Sequence, residues 1–556
     1  MMSDLNISIR KIGNILKREL MLLWIFSLLA GFALIILQSK SKLPLGKGDF
    51  IFLAILALLV ALWKPRWIFF LFVAAVQLEN VILTSGFLPI QLRPYQFLGA
   101  VLAAAIAILY FSKHLNLKIL KPNWIDWAIF SLVPFSFLAL LNSEAKSVSL
   151  KNNLVLLSFV VLYYLARNFI RNRDDLTKAV FFFTGSFLVV AAYGFWQVLA
   201  DKFLAYRQAG GAKSFEAMFG RPNSTFAEPD WLGIFLCFAL AVFLSLIYYF
   251  ANEKKKFIIS KKYIFIALDV FVFLDITLII LTLSRSAWIG ATAIVIFYLL
   301  ALLRPHNSTI AGLYGMDWRR FFREAVIIFI IFVISISVIR IGKLSKFDLS
   351  DRARSAATSE QKITIACESN LNIPQVVSSA DELAKFGCRH INLEEIAAQK
   401  SQGKFVTEIF RKDPNVLTRN AIYRKSWEII KAHPVSGVGF GTITKSLGSD
   451  ERGAGLNESN IFLQIWAGSG ALGLVAFIFA IGYLFIYSFR RVSPVCPINK
   501  ILGCPVVKDN FEKSLSVFAV LAISALIIPN LFNAGLLMGI FWLGLAAIIS
   551  IRKINE

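Results

Sequence analysis

The strongest constraint on this chain is a succession of uninterrupted apolar stretches, among them Trp231 to Phe250, Ile264 to Leu283 and Val326 to Ile339. A hydrocarbon core about 30 Å thick is crossed by roughly 20 helical residues. Inside it every backbone N–H and C=O must bond within the protein, which a helix achieves by itself. About fourteen such runs begin near residues 20, 49, 67, 95, 125, 150, 176, 230, 263, 286, 321, 461, 513 and 532. Composition agrees, because 57% apolar residues, 51 of them Phe, and a mean hydropathy of +0.68 lie outside the soluble range. The expectation is an all-α fold: a polytopic membrane helix bundle of about 14 transmembrane helices with one large, partly helical extracytoplasmic loop.

A net charge of +24 invites a nucleic-acid reading, but the distribution of the basic residues argues for a membrane topology instead. With a cytoplasmic N-terminus, the inside segments carry 29 Lys and Arg, including Arg10, Lys11, Lys17, Arg18, Lys254 to Lys256, Arg319, Arg320, Arg490 and Arg491, against 11 in the short outside loops. The remaining 18 fall in one long loop, residues 340 to 460, which is too long to obey the positive-inside rule. Both termini are therefore expected in the cytoplasm, with no nucleic-acid partner. The basic stretch before Leu20 to Leu37 lacks a small-residue cleavage site, so this run reads as an uncleaved first span.

Domains follow from this count: an N-terminal membrane bundle over 1–340 with about eleven spans, the extracytoplasmic loop over 341–460, and about three closing spans over 461–556. Cys367 and Cys388 share the outer loop and are candidates for a disulfide, whereas Cys496 and Cys504 fall in a cytoplasmic loop and should stay reduced. Cys237 lies within a span, and no Cys/His cluster has zinc-ligand spacing. In the loop, Asp381 to Lys400 reads as an amphipathic helix and Leu417 to Ala432 as a second, ended by His433 and Pro434. On the second helix Arg419, Tyr423, Trp427 and Ile430 recur on one face.

Three spans start, in this topology, with polar residues at the outer face: Ala227-Glu228-Pro229-Asp230, Ser284-Arg285-Ser286 and Asn457-Glu458-Ser459-Asn460. A helix N-terminus presents unpaired N–H groups and a partial positive charge, so it attracts anions, and an adjacent Arg adds bidentate donors. An anion site at membrane depth is implied. Arg285 fits equally an interfacial arginine whose head snorkels to the lipid headgroups, and Glu228, Pro229 and Asp230 fit an ordinary helix start. Gly437-Val438-Gly439-Phe440-Gly441 permits close backbone approach to a ligand, or a plain turn after a helix.

Taken in order, these residues resemble the O-antigen ligase-like superfamily, which includes O-antigen ligases, polysaccharide-repeat polymerases and some protein O-glycosyltransferases. The resemblance rests on Gly220-Arg221-Pro222, Ser224-Thr225-Phe226 and Glu228-Pro229-Asp230, then on Leu283-Ser284-Arg285-Ser286-Ala287-Trp288. Beyond the large loop it continues through Arg419, His433-Pro434 and Gly437-Val438-Gly439 to Asn460–Leu463 with Gly470 and Gly473, so it spans roughly 176 to 490. Ser459 stands where many members carry His.

The resemblance implies a metal-independent glycosyltransferase, without cofactor, that moves a glycan from polyprenyl diphosphate to an acceptor hydroxyl in surface polysaccharide assembly. Its partners would be the polyprenyl-diphosphate-linked glycan donor, a glycan, lipid or protein acceptor, and membrane lipids. Charge grows on the leaving diphosphate, and Arg285 and Arg419, with Arg221 binding substrate, are the cations the outer face supplies. No Asp-x-Asp pair in the outer loops suggests a divalent ion. Glu458 is the candidate base in place of the missing His, or else an acid that merely complements a helix start. Glu228, Asp230, Ser284, Tyr423, Ser459 and Asn460 complete the candidate substrate-binding set. The absent His tilts the reading toward a polymerase.

A lipid-linked oligosaccharide flippase or other polytopic transporter is the alternative, for which Asp269, Asp275 and Glu79 are the intramembrane acids to follow. A purely structural scaffold is a third reading, and it gives no reason for the outer arginines to gather.

Overall fold

The computed structural model describes residues 2–84, 91–115, 117–203, 220–253, 260–303, 317–358, 360–369, 373–378, 380–391, 395–412, 414–448, 456–492 and 510–554. Cys496, Cys504 and Lys254 to Lys256 lie outside them. The chain is a polytopic helical membrane protein, and eleven of its described helices are long and apolar enough to cross a bilayer.

The N-terminal part runs α1 (Met2–Ser39), α2 (Lys47–Trp63), α3 (Pro65–Ala75), α4 (Pro94–Phe111), α5 (Trp124–Phe130), α6 (Leu132–Ala139), α7 (Lys146–Phe169) and α8 (Arg173–Phe203). Next come α9 (Pro229–Asn252), α10 (Lys261–Leu281), α11 (Arg285–Leu302) and α12 (Trp318–Ile341). α9 is apolar all round, buried almost without a break from Leu232 to Leu244, and it packs against α10 and α11. A helix of this kind belongs at the centre of a bundle. α12 instead turns Phe329, Ile330, Val333 and Ile334 outward, as a lipid-facing helix must.

The long loop expected over 341–460 contains a small sheet that the helical reading did not anticipate. After α13 (Leu349–Thr358) the chain forms β1 (Glu360–Cys367), β2 (Val376–Val377), β3 (Cys388–His390), α14 (Ile396–Ser401) and β4 (Phe405–Lys412). Their spatial order is β2-β4-β1-β3, with β1 antiparallel to both neighbours and β2 parallel to β4. Ile363 faces Ile409 across the β1–β4 pair, and Ile365, Val377 and Leu383 complete a separate core. Cys367 and Cys388 pair across β1 and β3 and are bonded, with Cα atoms 4.0 Å apart.

The continuous helix expected over Asp381 to Lys400 does not form. A 3₁₀ turn over Ala380–Phe386 stops at Gly387 (φ +65°), β3 follows, and α14 begins only at Ile396. The physical reason is that pairing with β1 and the bond to Cys367 draw Cys388 into the sheet, and Gly387 permits the left-handed turn. The second expected helix is present as α15 (Pro414–Ala432), and it ends in a turn at His433 and Pro434.

After α16 (Thr442–Leu447), the bundle closes with α17 (Ile461–Val492), α18 (Asn510–Ile527) and α19 (Gly539–Ile554). α17 is broken at Gly470 (φ 69°), where the turn after α15 packs: Ala471 N–H donates to the Pro434 carbonyl at 3.0 Å. The apolar run read from residue 532 starts as helix only at Gly539. Pro529–Leu531 and Gly535–Leu537 are 3₁₀ turns, and Asn530 holds the bend by donating to the Leu526 carbonyl and accepting from Gly535 N–H. Such irregular backbone is tolerated at this depth because protein surrounds it.

Candidate functional site

The three polar helix starts singled out in the sequence are α9, α11 and α17, each preceded by a residue forced to positive φ: Ser224 (48°), Leu283 (53°) and Ser459 (47°). Left-handed backbone at non-glycine residues is held by surrounding structure and gathers at functional sites. Ser284 caps α11 by accepting from Ala287 N–H, and its hydroxyl lies 3.0 Å from that of Ser286. Asn460 caps α17, its Oδ1 accepting from Phe462 N–H at 2.9 Å and Leu463 N–H at 3.2 Å. Glu228 is the N-cap of α9 without a side-chain cap bond, and it is exposed.

Small residues let these starts approach one another. A Cβ on Gly233 of α9 would lie 2.5 Å from the Ala287 side chain, and one on Gly290 of α11 would lie 2.6 Å from Pro529. The Pro529 turn is thus wedged against α11, and it ties the site together. Asn533 donates to the Ser286 hydroxyl at 3.0 Å. Leu531 carbonyl accepts from the Asn460 amide at 2.9 Å, and Phe532 carbonyl accepts from Arg419 Nη2 at 3.4 Å. Arg419 also lies over the Phe532 ring, 5.8 Å from its centre. Ser286, the residue after Arg285, and Arg419 therefore attach to adjacent residues of one turn, Asn533 and Phe532.

Two further arginines hold the bend before α11. Arg221 Nε donates to the Thr282 carbonyl at 2.8 Å, and its Nη2 lies 3.5 Å from Asp230. Arg352 Nε donates to the Leu283 carbonyl at 3.2 Å. Arg285 itself is half-buried.

The face of α15 that carries Arg419 lies on the start of α17. Tyr423 hydroxyl donates to the Ser459 carbonyl at 3.2 Å, Trp427 meets Trp466 edge-on at 5.2 Å, and Ile430 packs with Val438 and Ala467. Burial raises the Tyr423 pKa, opposed by the charge of Arg419. Glu458 is buried, and its carboxylate accepts from its own backbone N–H, with no ion pair among the described residues. Burial pushes its pKa up, so the neutral form is favoured more than in an exposed glutamate. Ser459 is fixed by an Asx turn, its N–H donating to Asn457 Oδ1 at 2.9 Å.

The glycine segment after α15 serves packing. Gly437 N–H donates to the His433 carbonyl, and Val438 and Gly439 N–H both donate to the Ala467 carbonyl, so these donors are already bonded within the protein. Of the intramembrane acids, Glu79 pairs with Arg93 at 2.6 Å and accepts from Tyr95 and Gly539 N–H, anchoring the end of the Pro529 turn. Asp275 is buried in α10, and neither carboxylate oxygen is hydrogen-bonded among the described residues.

Sequence reading missed Phe532, Asn533, Arg352 and the Glu79–Arg93 pair. The available signal was Asn530 and Asn533 inside an otherwise apolar run, since polar side chains at that depth need partners. No curated protein matches this chain in sequence. Arg221, Glu228 and Asp230 lie ahead of the region that does have a match. Residues 270–478, a stretch that holds Arg285, Arg419 and Glu458, match the family model described as O-antigen ligase, so this region is similar to the O-antigen ligase-like superfamily.

Proposed function

We propose that this protein transfers a glycan from polyprenyl diphosphate to an acceptor hydroxyl at the outer face of the membrane, without a metal ion. The match of residues 270–478 supports the coarse part: a membrane enzyme of the O-antigen ligase and polymerase type, with a lipid-linked glycan donor and a glycan acceptor. The observation that supports the finer reading is the attachment of Ser286, the residue after Arg285, and of Arg419 to the neighbouring residues Asn533 and Phe532.

In this reading the acceptor oxygen attacks the anomeric carbon while the bond from that carbon to the diphosphate oxygen breaks. The electron pair leaves with the diphosphate. Arg285 and Arg419 stabilise the charge that grows there, with the α11 N-terminus contributing its partial positive end. Arg221 and Asp230 hold the bend from which Arg285 projects, and Ser284 caps it. The acceptor proton passes to Glu458, which is buried and has no ion-pair partner among the described residues. Tyr423, Ser459 and Asn460 set the height of the α17 start relative to α15, and Glu228 lies exposed at the mouth beside α9. Both termini face the cytoplasm, and the sheet-bearing loop faces outward, where a disulfide persists.

The test is transfer from a purified fluorescent polyprenyl-diphosphate glycan to acceptor by the reconstituted protein in the presence of EDTA. Released polyprenyl diphosphate and extended acceptor are expected. Movement of intact lipid-linked glycan between leaflets, with no cleavage, would overturn this reading in favour of a flippase.

A further inference from the structure

Two backbone carbonyls at the bend between α10 and α11 are taken up by arginines from elsewhere in the chain. Arg221 Nε donates to the Thr282 carbonyl at 2.8 Å, and Arg352 Nε donates to the Leu283 carbonyl at 3.2 Å. Thr282 and Leu283 are buried, and Leu283 is held at φ +53°. The carbonyl end of a helix is partially negative and its N–H end partially positive. Here the two ends stand side by side, because only Thr282 to Ser284 separate the end of α10 from Arg285, the first residue of α11. A guanidinium on each bend carbonyl keeps the negative end of α10 from cancelling the positive end that α11 offers to an anion.

Arg221 comes from the segment before α9, but Arg352 comes from the insertion. It lies on α13, whose residues alternate between two neighbours. Ser350 accepts from Arg340 of α12 at 2.9 Å and Arg352 reaches the bend, whereas Asp351 pairs with Lys362 of β1 at 3.2 Å and Arg354 lies over the Phe410 ring of β4 at 5.1 Å. Lys362 in turn pairs with Glu408 of β4 at 2.6 Å. The segment before α13 packs on the other arginine's neighbour: a Cβ on Gly220 would lie 2.9 Å from the Lys346 side chain. α13 thus connects the sheet to the bend.

We infer that Arg352 is a positioning residue for the transfer, through which the sheet-bearing insertion fixes the bend that presents Arg285 and the α11 N-terminus. The inference rests on the reaction proposed above and gives the insertion a part in it. Arg352 acts through the Leu283 carbonyl and leaves the diphosphate to Arg285. Its loss should therefore disturb the placement that the transition state needs more than the charge attraction that binds the ground state. Lys362 acts at one remove, since it holds α13 to the sheet.

The test uses the full protein in nanodiscs, with variants read by transfer kinetics and by amide hydrogen exchange over residues 283–288. Arg352→Met should lower kcat roughly tenfold with the donor KM changed less than about twofold, and Arg352→Lys, which keeps a charged donor, should recover part of the loss. Lys362→Met should lower kcat about threefold, and the double variant with Arg352→Met should be no worse than Arg352→Met alone, because both act through one contact. Exchange should quicken about tenfold in Arg352→Met. Arg389→Met, on the edge strand β3, should alter neither readout. Unchanged kcat and exchange in Arg352→Met, a loss confined to the donor KM, or additive losses in the double variant would overturn the inference. Should Arg352→Met fail to fold, Lys362→Met decides: slower transfer with faster exchange supports the inference, and wild-type values of both overturn it. Faster exchange in the variants of a protein that transfers no glycan sinks the proposed reaction and leaves the positioning of the bend standing, while transfer indifferent to Arg352 does the reverse.

Discussion

The Asn533 amide donates to the Ser286 hydroxyl at 3.0 Å, joining the turn before α19 to the first turn of α11 across 247 residues. Because Phe532 carries Arg419 on its carbonyl, this bond holds the first turn of α11 and Arg419 on neighbouring residues of one turn. Asn533→Ala should lower kcat/KM five- to tenfold, the equivalent of about 1 kcal/mol for one neutral hydrogen bond. A double-mutant cycle with Ser286→Ala measures the coupling, which should be of the same size.

Arg419 combines a donor to a carbonyl with a face over an aromatic ring. Lysine keeps the charge but not the planar fork, so Arg419→Lys should behave almost as badly as Arg419→Ala, each losing at least roughly tenfold in turnover. Arg285→Ala should weaken donor binding as well as turnover, since in the proposed reaction it meets the diphosphate before and during cleavage. Steady-state kinetics with purified donor separate the two patterns.

Glu458 gives a pH signature with a definite sign. A base works when deprotonated, and burial raises its pKa, so turnover should fall as pH drops through a point above the ordinary glutamate range. Glu458→Gln should cost about 10²- to 10⁴-fold in kcat and abolish that acidic limb. The same raised pKa means that ionising Glu458 lowers stability as pH rises, so the Gln variant should melt no lower than wild type at neutral pH. Near-normal turnover by Glu458→Gln would reduce the residue to a helix-start acid.

The Cys367–Cys388 bond closes a loop with a sequence separation of 21. Replacing both with Ala should destabilise the sheet by about 3 kcal/mol on the chain-entropy estimate, while the membrane bundle keeps its melting point. Limited proteolysis reads the first effect, and thermal unfolding in detergent reads the second.

Gly470 has no room for a side chain and a backbone that L residues rarely adopt. Its φ is +69°, and a Cβ there would lie 2.0 Å from the Val435 carbonyl oxygen. Gly470→Ala should lose several kcal/mol and appear as a sharp drop in folded yield.

The amino-acid sequence by itself determined the bundle, because apolar runs of membrane length admit no other solution than helices, and the resemblance to O-antigen ligases rests on residues spaced along it. It also marked the three helix starts, since Ser284, Asn460 and the Pro229 segment carry capping chemistry that is local. The interruption of the last apolar run was decided only in three dimensions: Asn530 and Asn533 bend the backbone through partners on α18 and α11. The β-sheet also needed tertiary contact, because β1 becomes a strand by pairing with β4 some forty residues later. The same holds for the meeting of Ser286 and Arg419 on one turn, which no periodicity could report. Periodic patterns record which face of a segment is buried, whereas a site built on one turn's carbonyls depends on where separate segments meet.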